Sequence, residues 1–237
     1  MSHDAANDNE PLTVAPAYAV VVDHLRRAIH LGRYAPGEKL PPERVFAPQL
    51  GVSRVTLREA IRVLEGEGYL TTRRGATGGV IVLGHDASRE ELRERVRERR
   101  EEIVALLEFR LVNERLAAER AAARISPAAL DALAETVDAL HASESIGAFR
   151  QADSAFHLEI AAAADCELLR RAVEDARAAM FLPLDALEYE VMLSATVRGH
   201  VKVLDALRAG DGAAAARAMA AHLRATNREL DAILAGA

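Results

Sequence analysis

Apolar positions over the first 85 residues recur at helical spacing and then in short extended runs, and the change outlines a small domain. Val21, Val22, Leu25, Ile29 and Leu31 share one face of a helix predicted from Tyr18 to Leu31, stopped near Gly32. Tyr34 to Leu40 reads as a turn, and Pro41-Pro42-Glu43-Arg44 opens a second helix, proline being tolerated in a first turn. Pro48 falls inside that helix, removes a backbone bond to Arg44 and predicts a kink. After the bend at Gly51-Val52, the Ser53 hydroxyl is placed to cap a third helix. Leu57, Ala60, Ile61 and Leu64 form its apolar face, and Arg54, Arg58 and Arg62 form a basic stripe elsewhere on it. Strands are predicted from Gly68-Tyr69-Leu70 and at Val80-Ile81-Val82, on either side of the basic, glycine-rich Arg73–Gly79. Residues 17–84 therefore predict a winged helix-turn-helix. The stripe has two readings: a solvated face whose arginines pair with Glu59 or Glu65, or guanidinium groups presented to a DNA groove.

Later in the chain the pattern is alanine-rich and helical throughout. Breaks are expected near Ser126-Pro127, Ser143-Glu144-Ser145, Ala164-Asp165, Leu182-Pro183 and Ala209–Gly212. They give about six helices and no convincing strand, so residues 102–237 predict an all-α bundle. Residues 85–101 read as a linker entering the first bundle helix, its charged run a solvated face. Residues 1–16 are polar and acidic and read as a disordered tail. The expected fold class is mainly α: an N-terminal winged helix-turn-helix plus a C-terminal helical bundle.

Charge sharpens this division. The 237 residues carry a formal net charge of −6, but residues 18–85 carry +4 and residues 86–237 carry −7. Positive charge is concentrated where the arginine stripe lies. Aromatic residues make up 4% and tryptophan is absent, which argues against a base-stacking platform and for a Leu/Ala/Val/Ile core. The single cysteine, Cys166, excludes an internal disulfide or CxxC site and reads as a small buried apolar residue. There is no run of membrane-spanning length and no secretory h-region, so the cytoplasm is the expected location.

One group of residues in the bundle can do chemistry. Asp153 and His157, four apart, share a helix face. His200 lies ten residues before Gly210 and His222 ten after Gly212, so an antiparallel pair folded there brings both imidazoles to about the same height. One carboxylate and three imidazoles can thus converge from three helices, a set suited to zinc, nickel or cobalt and less well to manganese. Equally, each could be an isolated polar residue satisfied by a neighbour. Arg110 lies in the mostly apolar Leu106–Val112, where a buried guanidinium needs an anion. Glu114 or Glu108 could supply it; so could a bound carboxylate, held bidentately.

Gly32-Arg33-Tyr34-Ala35-Pro36-Gly37-Glu38-Lys39-Leu40-Pro41-Pro42-Glu43-Arg44, followed by Leu50-Gly51-Val52-Ser53-Arg54, resembles the DNA-binding domain of the GntR family of bacterial transcription regulators. The resemblance implies operator contacts from Arg44, Arg54, Thr56 and Arg58, with Ser53 at the helix start. It also implies minor-groove contacts from Arg74 and Gly75 in the wing. Val55 departs from the pattern, standing where many members have a hydroxyl residue. Arg150 to Ala161, Gly199-His200 and Ala221-His222-Leu223 resemble the FCD ligand-sensing domain of the FadR subfamily. That likeness implies Asp153, His157, His200 and His222 as ligands of a divalent metal, and Arg110 facing an effector pocket. Members that sense acyl-CoA generally lack the full ligand set.

Together these lead to a homodimeric, ligand-responsive transcription regulator, most often a repressor in such a family, on a palindromic double-stranded operator. A small carboxylate or sugar acid, bridging metal and Arg110, is the expected effector. The rival is a metal-dependent hydrolase using the Asp/His set to activate water. It lacks HExxH, GxSxG and P-loop motifs, and Glu159 points away from its neighbour His157. A purely structural metal is the third reading.

Overall fold

The computed structural model describes residues 16–73, 75, 78–83, 89–180 and 186–235. The expected tail up to residue 15, Arg74 and the break at Leu182-Pro183 lie outside them.

Helices α1 (Ala17–His30), α2 (Glu43–Gln49) and α3 (Arg54–Gly66) precede strands β1 (Leu70–Arg73) and β2 (Gly79–Val82). The strands are antiparallel, with Leu70 opposite Val82 and Arg73 opposite Gly79. Leu25, Phe46, Leu57, Ala60, Leu64 and Leu70 close one small core, so apolar burial drives this domain together. Ser53 caps α3 as expected, its hydroxyl accepting from the Thr56 N–H at 3.0 Å. Pro48 sits one residue from the end of α2, where the bond it cannot donate is one of the last in the helix.

The body contains α4 (Arg89–Glu98), α5 (Arg100–Ala121), α6 (Pro127–His141), α7 (Ile146–Ala163), α8 (Glu167–Ala179), α9 (Tyr189–Arg208) and α10 (Gly212–Leu234). Ser126, Ser145 and Asp211 cap α6, α7 and α10 by accepting from Ala129, Ala148 and Ala214 N–H groups. Helix α10 packs on both α5 and α9, while α7 packs on α5, α6 and α8. Buried Ala117, Ala118, Ala121, Ala161 and Ala164 let these helices approach closely. The fold is mainly α, a winged helix-turn-helix followed by an all-helical bundle, and no described helix is long and apolar enough to cross a membrane.

The stretch expected as a solvated linker, 85–101, is different in its described part. Helix α4 buries Leu92 and Val96 against Ile103, Leu230 and Ile233. Two apolar residues four apart suffice to anchor it, despite the charges between them. The helical path is interrupted at Arg99 before α5 begins.

Candidate metal centre and candidate nucleic-acid interface

Helix α7 contributes Asp153 and His157, α9 contributes His200, and α10 contributes His222. All four are buried, and one ligand atom from each lies within 4.8 Å of all the others. Asp153 Oδ1 is 3.6 Å from His157 Nε2 and 3.3 Å from His200 Nε2, and the His157 and His222 Nε2 atoms are 3.3 Å apart. The equal offsets about the Gly210–Gly212 turn thus bring His200 and His222 level. Their close approach depends on Gly199, where a Cβ would stand 2.6 Å from His222 Nδ1. Phe156 stacks flat on His200, ring centroids 3.8 Å apart.

Around this cluster runs a chain of buried charges. The Glu114 carboxylate meets His157 Nδ1, and Arg110 Nε donates to Glu114 Oε1 at 2.6 Å. Arg177 donates to the other oxygen of Asp153, Oδ2. His157 thus has Glu114 on its Nδ1 side and the cluster on its Nε2 side. Burial opposes ionisation of Asp153. The Arg177 guanidinium, with the His157 and His200 imidazoles close by, outweighs it, holding the carboxyl well below its usual range. The same contest leaves Glu114 ionised, with Arg110 and His157 overcoming burial. Burial pushes His200 down to about 4, and burial with the neighbouring imidazoles pushes His222 well below the usual histidine range. Neutral imidazoles beside an ionised carboxylate are metal donors. His200 Nε2 makes no well-directed hydrogen bond there, an omission costly in a dry interior unless another partner is taken. The donor set fits a divalent cation.

Arg110 is almost wholly buried, and Glu114 is the internal carboxylate that meets it. Of the partners weighed from sequence, it is the one four residues on; an external carboxylate would have to share the guanidinium. The sequence pattern does not reveal the contact of Glu114 with His157 or that of Arg177 with Asp153. An acid and an arginine four apart inside an apolar stretch hinted at the first; the lone Arg177 between alanines gave little sign of the second. A groove of about 580 Å³ between α9 and α10 reaches His222, with Arg198, Lys202, Arg228 and the single carboxylate Glu229 along it.

In the head, Arg44, Ser53, Arg54 and Arg58 are exposed, Thr56 is half-buried with its hydroxyl 2.8 Å from that of Ser53, and Gly75 is exposed in the wing. Arg74 lies outside the described residues. Among the described residues, Arg54 and Arg58 of the stripe pair with neither Glu59 nor Glu65. Glu43 of α2 accepts from Arg58 at 2.6 and 3.2 Å and lies 4.0 Å from Arg54.

The profile of bacterial regulatory proteins of the gntR family matches residues 17–80, and that of the FCD domain matches residues 105–225. The regulatory protein named for the L-lactate dehydrogenase operon of Escherichia coli K12 is 34% identical over 219 residues, covering 86% of this chain and 82% of the relative. LutR of Bacillus subtilis 168, an HTH-type transcriptional regulator, is 26% identical over 199 residues, covering 81% and 91%. McbR/YncC of Escherichia coli shares the fold, with a TM-score of 0.51, 21% identity and coverage of 92% and 98%. The domains and relatives are those of regulators, not enzymes, which removes the hydrolase reading. The chain belongs to the GntR family, as a DNA-binding transcription regulator with an FCD effector domain.

Proposed function

We propose that the protein is a cytoplasmic, homodimeric repressor whose grip on a palindromic operator is set by a small carboxylate or sugar-acid effector at a metal centre. Asp153, His157, His200 and His222 hold a divalent cation, zinc before nickel, cobalt or manganese. Their convergence is the observation that carries the reading. Asp153 and Glu114 are balanced by Arg110 and Arg177, so a dication leaves the site with a net positive charge that selects an anion. When bound, it supplies Lewis-acidic positions to an effector oxygen. Arg110 offers its guanidinium to the effector carboxylate alongside Glu114, and the cationic groove beside His222 suits an anion's approach. The relative named for an L-lactate dehydrogenase operon points to the hydroxy-acid class.

Operator contacts come from Arg44, Ser53, Arg54, Thr56 and Arg58, with Arg74 and Gly75 of the wing. Phosphate contacts supply affinity and salt dependence, and Arg54 and Arg58 supply base discrimination. Dimerisation uses the exposed stripe Phe109, Val112 and Leu116 on α5. Antiparallel pairing about Val112 sets Glu108 of each copy near Arg115 of the other, and neither has an ion-pair partner among the described residues.

A melting-shift screen of organic and sugar acids on zinc-loaded protein tests the effector reading. An acid at a hundred times its Kd should add about 2.7 kcal/mol of stability, only when zinc is present. The shift should vanish in Arg110→Ala and His200→Ala. An unshifted wild type, or an equal shift in His200→Ala, overturns it.

A further inference from the structure

Helix α8 touches the metal centre with one side and the DNA-binding head with the other. Its Arg177 is buried and donates to Asp153 Oδ2, while Asp153 Oδ1 faces the His157 and His200 imidazoles. One turn earlier, Glu174 accepts from Arg33 at 2.8 Å, and Asp175 pairs with Arg27 of α1. The other Glu174 oxygen is held by Arg170 at 3.0 Å, so this carboxylate is fixed to its own helix. The two domains also meet through backbone. At Gly32 (φ +72°) a Cβ would lie 2.8 Å from the Gln151 nitrogen, two residues from Asp153. A Cβ on Gly147, in the first turn of α7, would lie 3.1 Å from Pro36 Cδ. The head is therefore seated on α7 and α8, the two helices that hold the Asp153 carboxylate between them.

Resting on the function proposed above, we infer that α8 links the metal centre to the head, with Arg177 as the positioning residue at its inner end. The Asp153 carboxylate is shared: charge it gives to the cluster on Oδ1 is withdrawn from Arg177 on Oδ2. Positive charge gained by the cluster also repels the guanidinium directly. A buried pair in a close-packed interior answers by moving to a second packing, not by yielding continuously. Arg177 lies three residues from Glu174 and two from Asp175, so a shift of α8 moves the seat of Arg33 and Arg27. Gly32 leaves no slack beside Gln151, so a displaced seat turns the head instead of being absorbed.

The test uses full-length protein, Zn²⁺ or a chelator, and a duplex recovered from a random-sequence pool by the protein itself. The quantity read is the ratio of duplex affinities with and without zinc, in which any direct effect of a head charge on DNA cancels. The wild-type ratio should depart from unity by about fivefold or more, and the duplex should change zinc affinity by the same factor. Arg27→Glu and Asp175→Arg should each bring the ratio close to unity while zinc affinity without DNA stays as in wild type. The charge-swapped double variant should restore it. Arg177→Lys, which keeps a buried cation opposite Asp153, should also bring the ratio nearer to unity. Single variants with the wild-type ratio overturn the link, and a lysine variant with that ratio removes Arg177 from it. A wild type that takes up zinc but shows a ratio of one overturns the link and leaves the metal centre standing. One that takes up no zinc overturns the proposed function, and the link with it.

Discussion

The head and the body both hold arginines against carboxylates, in opposite surroundings. In the head, Arg58 and Arg54 gather at Glu43 in contact with water. In the body, Arg110, Glu114, His157, Asp153 and Arg177 form a sequence of contacts with almost no exposure. Water makes the first set exchangeable: a solvated ion pair contributes about 0–1 kcal/mol, so a phosphate can replace Glu43 at little cost. Burial makes the second set mutually dependent, because a charge that loses its partner there has no solvent to turn to. On the function proposed above, similar side chains thus serve as a releasable grip in one domain and as a fixed frame in the other.

The largest effect that sharpens this contrast is expected at Glu114. Glu114→Ala strands the Arg110 guanidinium and should lower unfolding free energy by about 3–5 kcal/mol in urea melts. Replacing both partners, Arg110→Met with Glu114→Leu, should recover much of that loss. If Glu114→Ala costs no more than a surface change, the frame is not a frame.

A middle-sized effect is expected at Gly199. Gly199→Val places side-chain atoms where His222 stands and should weaken zinc binding by about 10–100-fold in chelator competition, the range for disturbed ligand orientation. DNA binding by the stripped protein should be unchanged. Unaltered zinc affinity would show that His222 is not held by this approach.

Smallest in stability are changes in the stripe. Arg58→Ala should leave the urea midpoint within the range of a surface substitution, about 0.5 kcal/mol, yet cost about 1–3 kcal/mol of operator discrimination. Glu43→Gln should act the other way, freeing Arg58 and Arg54 and raising affinity for unrelated duplexes in low-salt titrations. A Glu43→Gln protein with unchanged DNA affinity would mean that the pair does not compete with phosphate.

The elements were legible where local chemistry fixes them. Ser53, Ser126, Ser145 and Asp211 start helices because each satisfies an otherwise unpaired N–H within four residues of itself. Asp153 and His157 could be paired by helix periodicity, and His200 and His222 by symmetry about one turn. Identifying them as a ligand set took the family resemblance as well. Partners chosen by tertiary packing were not legible. Glu43 reaches Arg58 across 15 residues and Glu114 reaches His157 across 43, distances at which spacing carries no information. Helix α4 is obscured in the sequence for a related reason: its charge density hides Leu92 and Val96, which decide where it packs.

The Phe156 ring that lies flat over His200 has a spectroscopic consequence. Its circulating π electrons shield the imidazole protons, moving their resonances upfield and away from those of the other seven histidines. One line in a proton spectrum therefore watches the heart of the body without any label. It should shift whenever that ring pair slips or a lone pair on His200 is engaged.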